Sequence, residues 1–300
     1  MTLAIAIPAG QAEARRAWWR HVSSRTAIYA FLTVFALLYL LPVFVVIANS
    51  FRPLPEITQY GLIWWPRSFR LGAWAEAWSH TCVVGTCAGV QRNFYNSLLM
   101  TIPATIISTL LGALNGYIIS KWRFRGSEML FAFMTLGVFM PPQVALLPWA
   151  YILGKLSLTN SVAGLILIHV VQGISFSTLF CRNYYVAIPD DLIKAARIDG
   201  AGFWRIFYRI ILPLSPPILI VTVIWQFTGI WNEYLLGMVF TSGRAQPITA
   251  ALVAMGTAGQ EAAQFDVMSS AVLIAALPPL LIYFFGGKYF VRGLTLGAIK

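Results

Sequence analysis

Residues 182–212 read RNYYVAIPDDLIKAARIDGAGFWRIFYRIIL and run directly into Pro213. Pro189 followed by Asp190 and Asp191 is a helix start, because proline suits a first helical turn and carboxylates favour the positive end of the helix dipole. The helix over Asp191–Ile198 should stop near Gly200, which can take the positive φ of a C-terminal cap. A second short helix, Gly202–Ile211, then leads to Pro213. Two short helices around a glycine turn make a compact knob, standing about one turn clear of the segments on either side.

Those flanking segments are apolar, and so is most of the chain. Of 300 residues, 59% are hydrophobic and 10% are charged, whereas a soluble domain carries about 25% charged residues. The surface therefore cannot be covered against water, and the chain reads as a membrane protein. Six stretches reach the roughly 20 residues that a spanning helix needs: Ala27–Ala48, Phe94–Ile119, Met129–Trp149, Ser161–Cys181, Leu214–Phe240 and Val267–Gly287. They define an all-α bundle of six transmembrane helices, since backbone groups in lipid must be paired within each segment. Within these stretches the one formal charge is Glu233 and the one histidine is His169. His169 reads as a packing residue. The first stretch has an apolar core too long for a signal peptide and no small-x-small pattern after it, so it is read as a span.

The basic residues give the orientation. Fifteen of the 21 Lys and Arg lie before the first span, after the second (Lys121, Arg123, Arg125), after the fourth (Arg182, Lys194, Arg197, Arg205, Arg209) and in the tail. The formal charge of +11 thus falls almost wholly on one side, which places both termini in the cytoplasm. In a soluble chain such an excess would point to nucleic acid; here it is an orientation signal, and no nucleic-acid partner is expected. The resulting organisation is a cytoplasmic segment 1–26, the first span 27–48, an external loop 49–92, a core 93–287 holding the loop 182–213, and a cytoplasmic tail 288–300.

The external loop holds Trp64, Trp65, Trp74 and Trp78, which fit a segment at the lipid–water boundary or a docking surface for another protein. Cys82 and Cys87 lie five apart on the oxidising side, with Gly85 and Gly89 permitting a tight turn, so a disulfide is expected. Cys181 reads as a packing residue. No Cys/His cluster suggests a metal site. Neither a phosphate-binding loop nor a nucleophile–base or paired-carboxylate set appears, so the chain is read as no enzyme.

The fifth span carries the run Trp225-Gln226-Phe227-Thr228-Gly229-Ile230-Trp231-Asn232-Glu233-Tyr234. Trp225, Thr228 and Asn232 share a helical face, with Gly229 and Glu233 adjacent. Hydrogen-bonding groups beside aromatic faces suit a sugar path; interhelical packing is the other reading. Pro141, Pro142 and Pro148 can kink the third span, as gate or as fixed bend.

The run Ala195-Ala196-Arg197-Ile198-Asp199-Gly200-Ala201, followed by Phe207, Ile210, Leu212 and Pro213, resembles the EAA loop of the permease subunits of bacterial ABC importers. Asn96-Ser97-Leu98, Phe124-Arg125-Gly126, Pro141-Pro142 and Tyr289-Phe290-Val291-Arg292-Gly293-Leu294 are similar to segments of the carbohydrate, maltose-type branch, most like members serving glucose or mannose. The loop departs from the family at its first residue, usually Glu and here Lys194. The resemblance implies a type I permease architecture in the bacterial inner membrane and a sugar importer. Its partners would be a second permease, two ATP-binding subunits that hold ATP and Mg, a soluble sugar-binding protein and membrane lipid; no cofactor is expected on this chain. It also implies that Lys194, Ala195, Ala196, Asp199, Gly200, Ala201, Phe207, Leu212 and Pro213 form the ATPase-coupling loop. An ABC permease for an oligosaccharide, glycerol phosphate or polyamine is the alternative, with an ion-coupled secondary carrier further off, since such carriers usually need more intramembrane charge than Glu233.

Overall fold

The structure, a computed structural model, describes residues 9–83, 86–257 and 264–296, with side chains over 25–83, 87–257 and 264–287. Gly85, the side chains of Arg15, Arg16 and Arg20, and the tail side chains from Lys288 onward lie outside the described residues.

The order is α1 (Ala9–Asn49), α2 (Leu54–Tyr60), α3 (Gly72–Ser79), a small antiparallel ladder of β1 (Cys82–Val83) and β2 (Thr86–Cys87), α4 (Gln91–Lys121), α5 (Ser127–Phe139), α6 (Leu146–Lys155), α7 (Val162–Val186), α8 (Asp190–Ile198), α9 (Phe203–Leu214), α10 (Pro216–Asn232), α11 (Leu235–Phe240), α12 (Ile248–Thr257) and α13 (Phe265–Leu296). Among the described residues, four helices are long and apolar enough to cross a membrane unbroken: α1, α4, α7 and α13. Two bent pairs bring the total to six.

The bends correct two expected spans. Met129–Trp149 is not one helix: α5 stops at Phe139 and the chain from Pro142 to Lys155 departs at 104°. Pro141 and Pro142 remove two successive backbone donors, and a residue before proline is pushed to extended backbone, as Met140 is at ψ 125°. Pro148 adds no kink, because it falls in the first turn of α6, where the missing N–H has no intrahelical partner. The expected Leu214–Phe240 likewise divides. Its longest helix is α10, which begins after a 77° bend at Ser215 and ends at Asn232.

Glu233 is therefore not inside a continuous helix. It lies just past α10 with extended backbone, and both carboxylate oxygens accept the N–H of Leu236 at 3.0 Å. A carboxylate inside an unbroken helix would find every nearby N–H already paired. Breaking the helix frees the first N–H groups of α11 to receive it.

The bundle is built on α4 against α7, and the seam consists of small residues. A Cβ on Gly112 would stand 2.1 Å from the Ser177 Cβ, so the two backbones approach as only glycine permits. Ser97, Thr101, Thr105, Ser108 and Thr109 of α4 are buried along the same helix. α10 closes over the seam through Gln226, whose amide donates to Gly173 O (2.7 Å), Ser177 Oγ (3.0 Å) and Ser108 Oγ (3.4 Å). Trp231, fully buried, donates to Ala275 O of α13 at 2.9 Å and stacks on Phe227. At the N-terminal end of α4, Asn93 and Asn96 donate to Gln246 O, and Ser97 Oγ accepts the Ile248 N–H at 2.8 Å, which fixes the segment leading into α12. His169 is buried on α7.

Candidate coupling site and transport path

α8 starts at Asp190, one residue earlier than expected, with Pro189 as its N-terminal neighbour. It ends in a Schellman turn: the N–H of Gly200 bonds Arg197 O at 3.0 Å and that of Ala201 bonds Ala196 O at 2.9 Å. Gly200 takes φ +75°, which explains why a glycine stands there. The second helix runs to Leu214, three residues beyond the expected Ile211. Pro213 should have broken it, having no N–H and a ring that crowds the carbonyl of Arg209. The chain widens instead into one π turn over Phe207–Ile211, where the Leu212 N–H reaches Phe207 O.

The two faces of the knob differ. Ile193, Ile206, Phe207 and Ile211 are buried against Ala113 and Tyr117 of α4 and Cys181 and Tyr185 of α7. Leu192, Lys194, Ala195, Ile198, Asp199, Trp204 and Tyr208 are exposed on the outer side, Ile198 at 86%. Phe207 therefore belongs to the inner wall, Ala196, Ala201 and Leu212 are partly covered, and Pro213 is exposed. Lys194, where the resembling loops carry Glu, pairs locally with Asp191 (3.0 Å), and that carboxylate raises its pKa.

Reading the sequence missed what holds the knob. Besides the fourth and fifth spans that flank it in sequence, the knob is fastened by polar contacts to the end of α4. Lys121, its side chain 4% exposed, donates at 2.6 Å to both Ile188 O and Asp190 Oδ1. The same ammonium holds the Asp190 carboxyl below the ordinary carboxylate range. Arg197 lies 4.1 Å over the Trp122 ring and donates to Lys121 O, while Tyr117 Oη, which accepts from Trp122 Nε1, donates to Phe203 O at 3.3 Å. In sequence Lys121 looked like one more orientation charge.

The expected path residues fall on one stripe of α10, with one exception. Trp225, Gly229 and Asn232 are exposed and Thr228 is half-buried, while Gln226, Phe227, Ile230 and Trp231 face the bundle. Trp225 stacks on Phe176 of α7 at 5.5 Å. Glu233 leaves the stripe to cap α11. The ladder sets Cys82 opposite Cys87 and their sulfurs are bonded. No group of His, Cys, Asp and Glu suited to a metal occurs among the described residues.

The family model described as "binding-protein-dependent transport system inner membrane component" matches residues 3–295. The chain belongs to this family. A probable ABC transporter permease of Pyrococcus horikoshii is 46% identical over 187 residues, which is 62% of this chain and 67% of the relative. The xylose/arabinose import permease of Haloferax volcanii is 34% identical over 70% of this chain and 74% of its own length. A bacterial ABC transporter involved in the import of the acidic polysaccharide alginate has a chain that superposes with TM-score 0.76 at 19% identity, over 90% of this chain and 97% of that one. The protein is accordingly an all-α, multi-pass inner-membrane permease component of an ABC transporter.

Proposed function

We propose that this permease forms half of the translocation pathway of an ATP-driven sugar importer, coupled to ATP-binding subunits through residues 190–214. The observation that carries the reading is the knob: a rigid inner face fastened to the bundle and an outer face with exposed Ile198, Trp204 and Tyr208 around the Gly200 turn. An apolar surface of that kind at the cytoplasmic end fits a cleft on another subunit. ATP and Mg would be held there, and the chemistry would take place off this chain. The remaining partners would be a second permease and a soluble sugar-binding protein.

A sugar substrate draws support from the relative named for xylose and arabinose import and from the aromatic–polar stripe of α10. Trp225, Thr228, Gly229 and Asn232 would face the path where the two permeases meet. Glu233 would contribute by fixing α11 at its external mouth. A monosaccharide such as glucose or mannose is the finer assignment, and it rests on the sequence resemblance from Asn93 to the tail alone. A thermal-shift screen of the associated binding protein against sugars is expected to give its largest stabilisation with a hexose; stabilisation by oligosaccharides only would redirect the assignment.

Gly200→Pro tests the coupling. Proline holds φ near −65°, incompatible with the +75° of this turn. The variant should insert and bind its partners, yet lose at least about tenfold in sugar uptake per ATP hydrolysed, the size of an ordinary coupling between two sites. Unchanged uptake per ATP would show that the knob does not couple.

A further inference from the structure

The external segment between α2 and α3 carries an apolar surface that the transport reading does not use. Ile63, Trp65 and Phe69 are each more than 70% exposed, with Trp64 and Leu71 beside them. Such a patch does not stay in water on a stable protein. We propose that residues 60–71 are a lipid anchor, seated in the headgroup and upper acyl region of the outer leaflet alongside α1.

Three features choose lipid over a protein partner. Trp65 stacks on Phe44 of α1 at 5.6 Å, so the segment folds back along the first span. Phe44 precedes the end of α1 by five residues, about 7.5 Å at 1.5 Å per residue, which sets the indole below the mouth of the span. The surface it continues is that of α1, the most apolar of the spans, whose hydrophobic window is entirely unburied by this chain. Amphipathic indoles are enriched at that depth. The Arg67 guanidinium, 4.3 Å over the Tyr60 ring, keeps a cation at the patch's edge, where phosphate headgroups lie.

The anchor is also preformed. Arg52, 1% exposed, donates to Glu56 Oε1 (3.0 Å), Asn49 Oδ1 (2.9 Å) and Gly61 O (3.0 Å). The Glu56 carboxylate accepts from Ser68 Oγ (2.6 Å) and from the N–H groups of Arg67 (2.9 Å) and Ser68 (3.2 Å). This knot ties both ends of 61–68 to the top of α1, so membrane binding need not order the segment first.

The test is to replace Trp65 with photoreactive benzoylphenylalanine in the whole transporter, in phosphatidylcholine nanodiscs, and to identify adducts by mass spectrometry. Phospholipid adducts are expected. Adducts to another protein subunit, or none to lipid, would overturn the anchor. Trp65 takes no part in the knot, so the substitution leaves it standing. As a second measurement, the emission that Trp65→Phe removes should be quenched about twofold or more by phosphatidylcholine brominated near the headgroup end of its acyl chain; an unquenched difference would also overturn it.

Discussion

Lys121 holds two fastenings of the knob on one ammonium, since Ile188 O and Asp190 Oδ1 both lie 2.6 Å from Nζ. Its partner Asp190 is largely solvated, so the pair draws less from charge than a buried one, but the Ile188 carbonyl is covered and has this donor. Lys121→Met keeps the aliphatic stem and removes the donor. Losing a hydrogen bond to a charged group costs about 1.5–3 kcal/mol, and the exposed half of this pair brings the expectation to about 1–2 kcal/mol. Amide exchange over 188–200 should quicken roughly five- to thirtyfold while the α4–α7 seam keeps its protection; equal protection in both forms would remove Lys121 from the knob's support. Nothing at sequence level distinguished this lysine from Arg123 or Arg125. The pairing runs across 69 residues, and a composition of loop charges reports the side of the membrane, not the partner.

At the scale of elements, the knob was legible because its signals are local. Pro189 with its two acids, and Gly200 with its positive φ, each act within one turn, and both ends of α8 lie within a residue of the expectation. The bends were partly legible: adjacent prolines announced a break at 141–142 but not its 104°. Glu233 falls outside the helical face expected for it, because helical spacing assumes an unbroken helix and α10 ends at Asn232, where the break brings the Leu236 N–H to that carboxylate. The four tryptophans of 49–92 are one set in sequence, for a lipid–water boundary or a docking surface, yet Trp74 and Trp78 of α3 pack against Phe51 and Phe94, leaving Trp64 and Trp65 outward. The knot beneath them makes its own expectation. Hydrogen bonds from Ser68 Oγ and from the Arg67 N–H lead in holding the Glu56 carboxyl at about 2, below its ordinary 4.5. A depressed carboxylate stabilises the fold fully above the ordinary value and loses that contribution as pH falls through the depressed one. Amide protection over 61–68 should therefore be constant from pH 7 to about 5 and decline between about 4 and 2. Glu56→Gln should remove the decline, and protection that begins to fall near neutrality would contradict this pairing.

For the molecule as a whole, the chain is one side of something larger. The stripe of Trp225, Gly229 and Asn232 on α10 turns away from the chain's own core, although Asn232 is polar. Lipid would be a poor environment for that amide, and a path shared with a second permease would satisfy it. The buried side of the same helix, with Gln226 and Trp231 bonded across to α7 and α13, supplies the rigidity. Function and packing are thus divided between two faces of α10, and variants can separate them. Asn232→Leu removes hydrogen-bonding capacity at an exposed position and should leave folding and partner binding intact. If the stripe lines the path, uptake should fall about tenfold or more while the ATPase rate of the assembled complex stays within about twofold, the pattern of a lost substrate interaction of about 1.4 kcal/mol. Gln226→Leu should act in the opposite way, lowering the yield of assembled complex, because it leaves Gly173 O, Ser177 and Ser108 without their buried donor. Measured side by side, uptake lost with Asn232→Leu and assembly lost with Gln226→Leu would assign the two faces, whereas normal uptake with Asn232→Leu would return the stripe to interhelical packing.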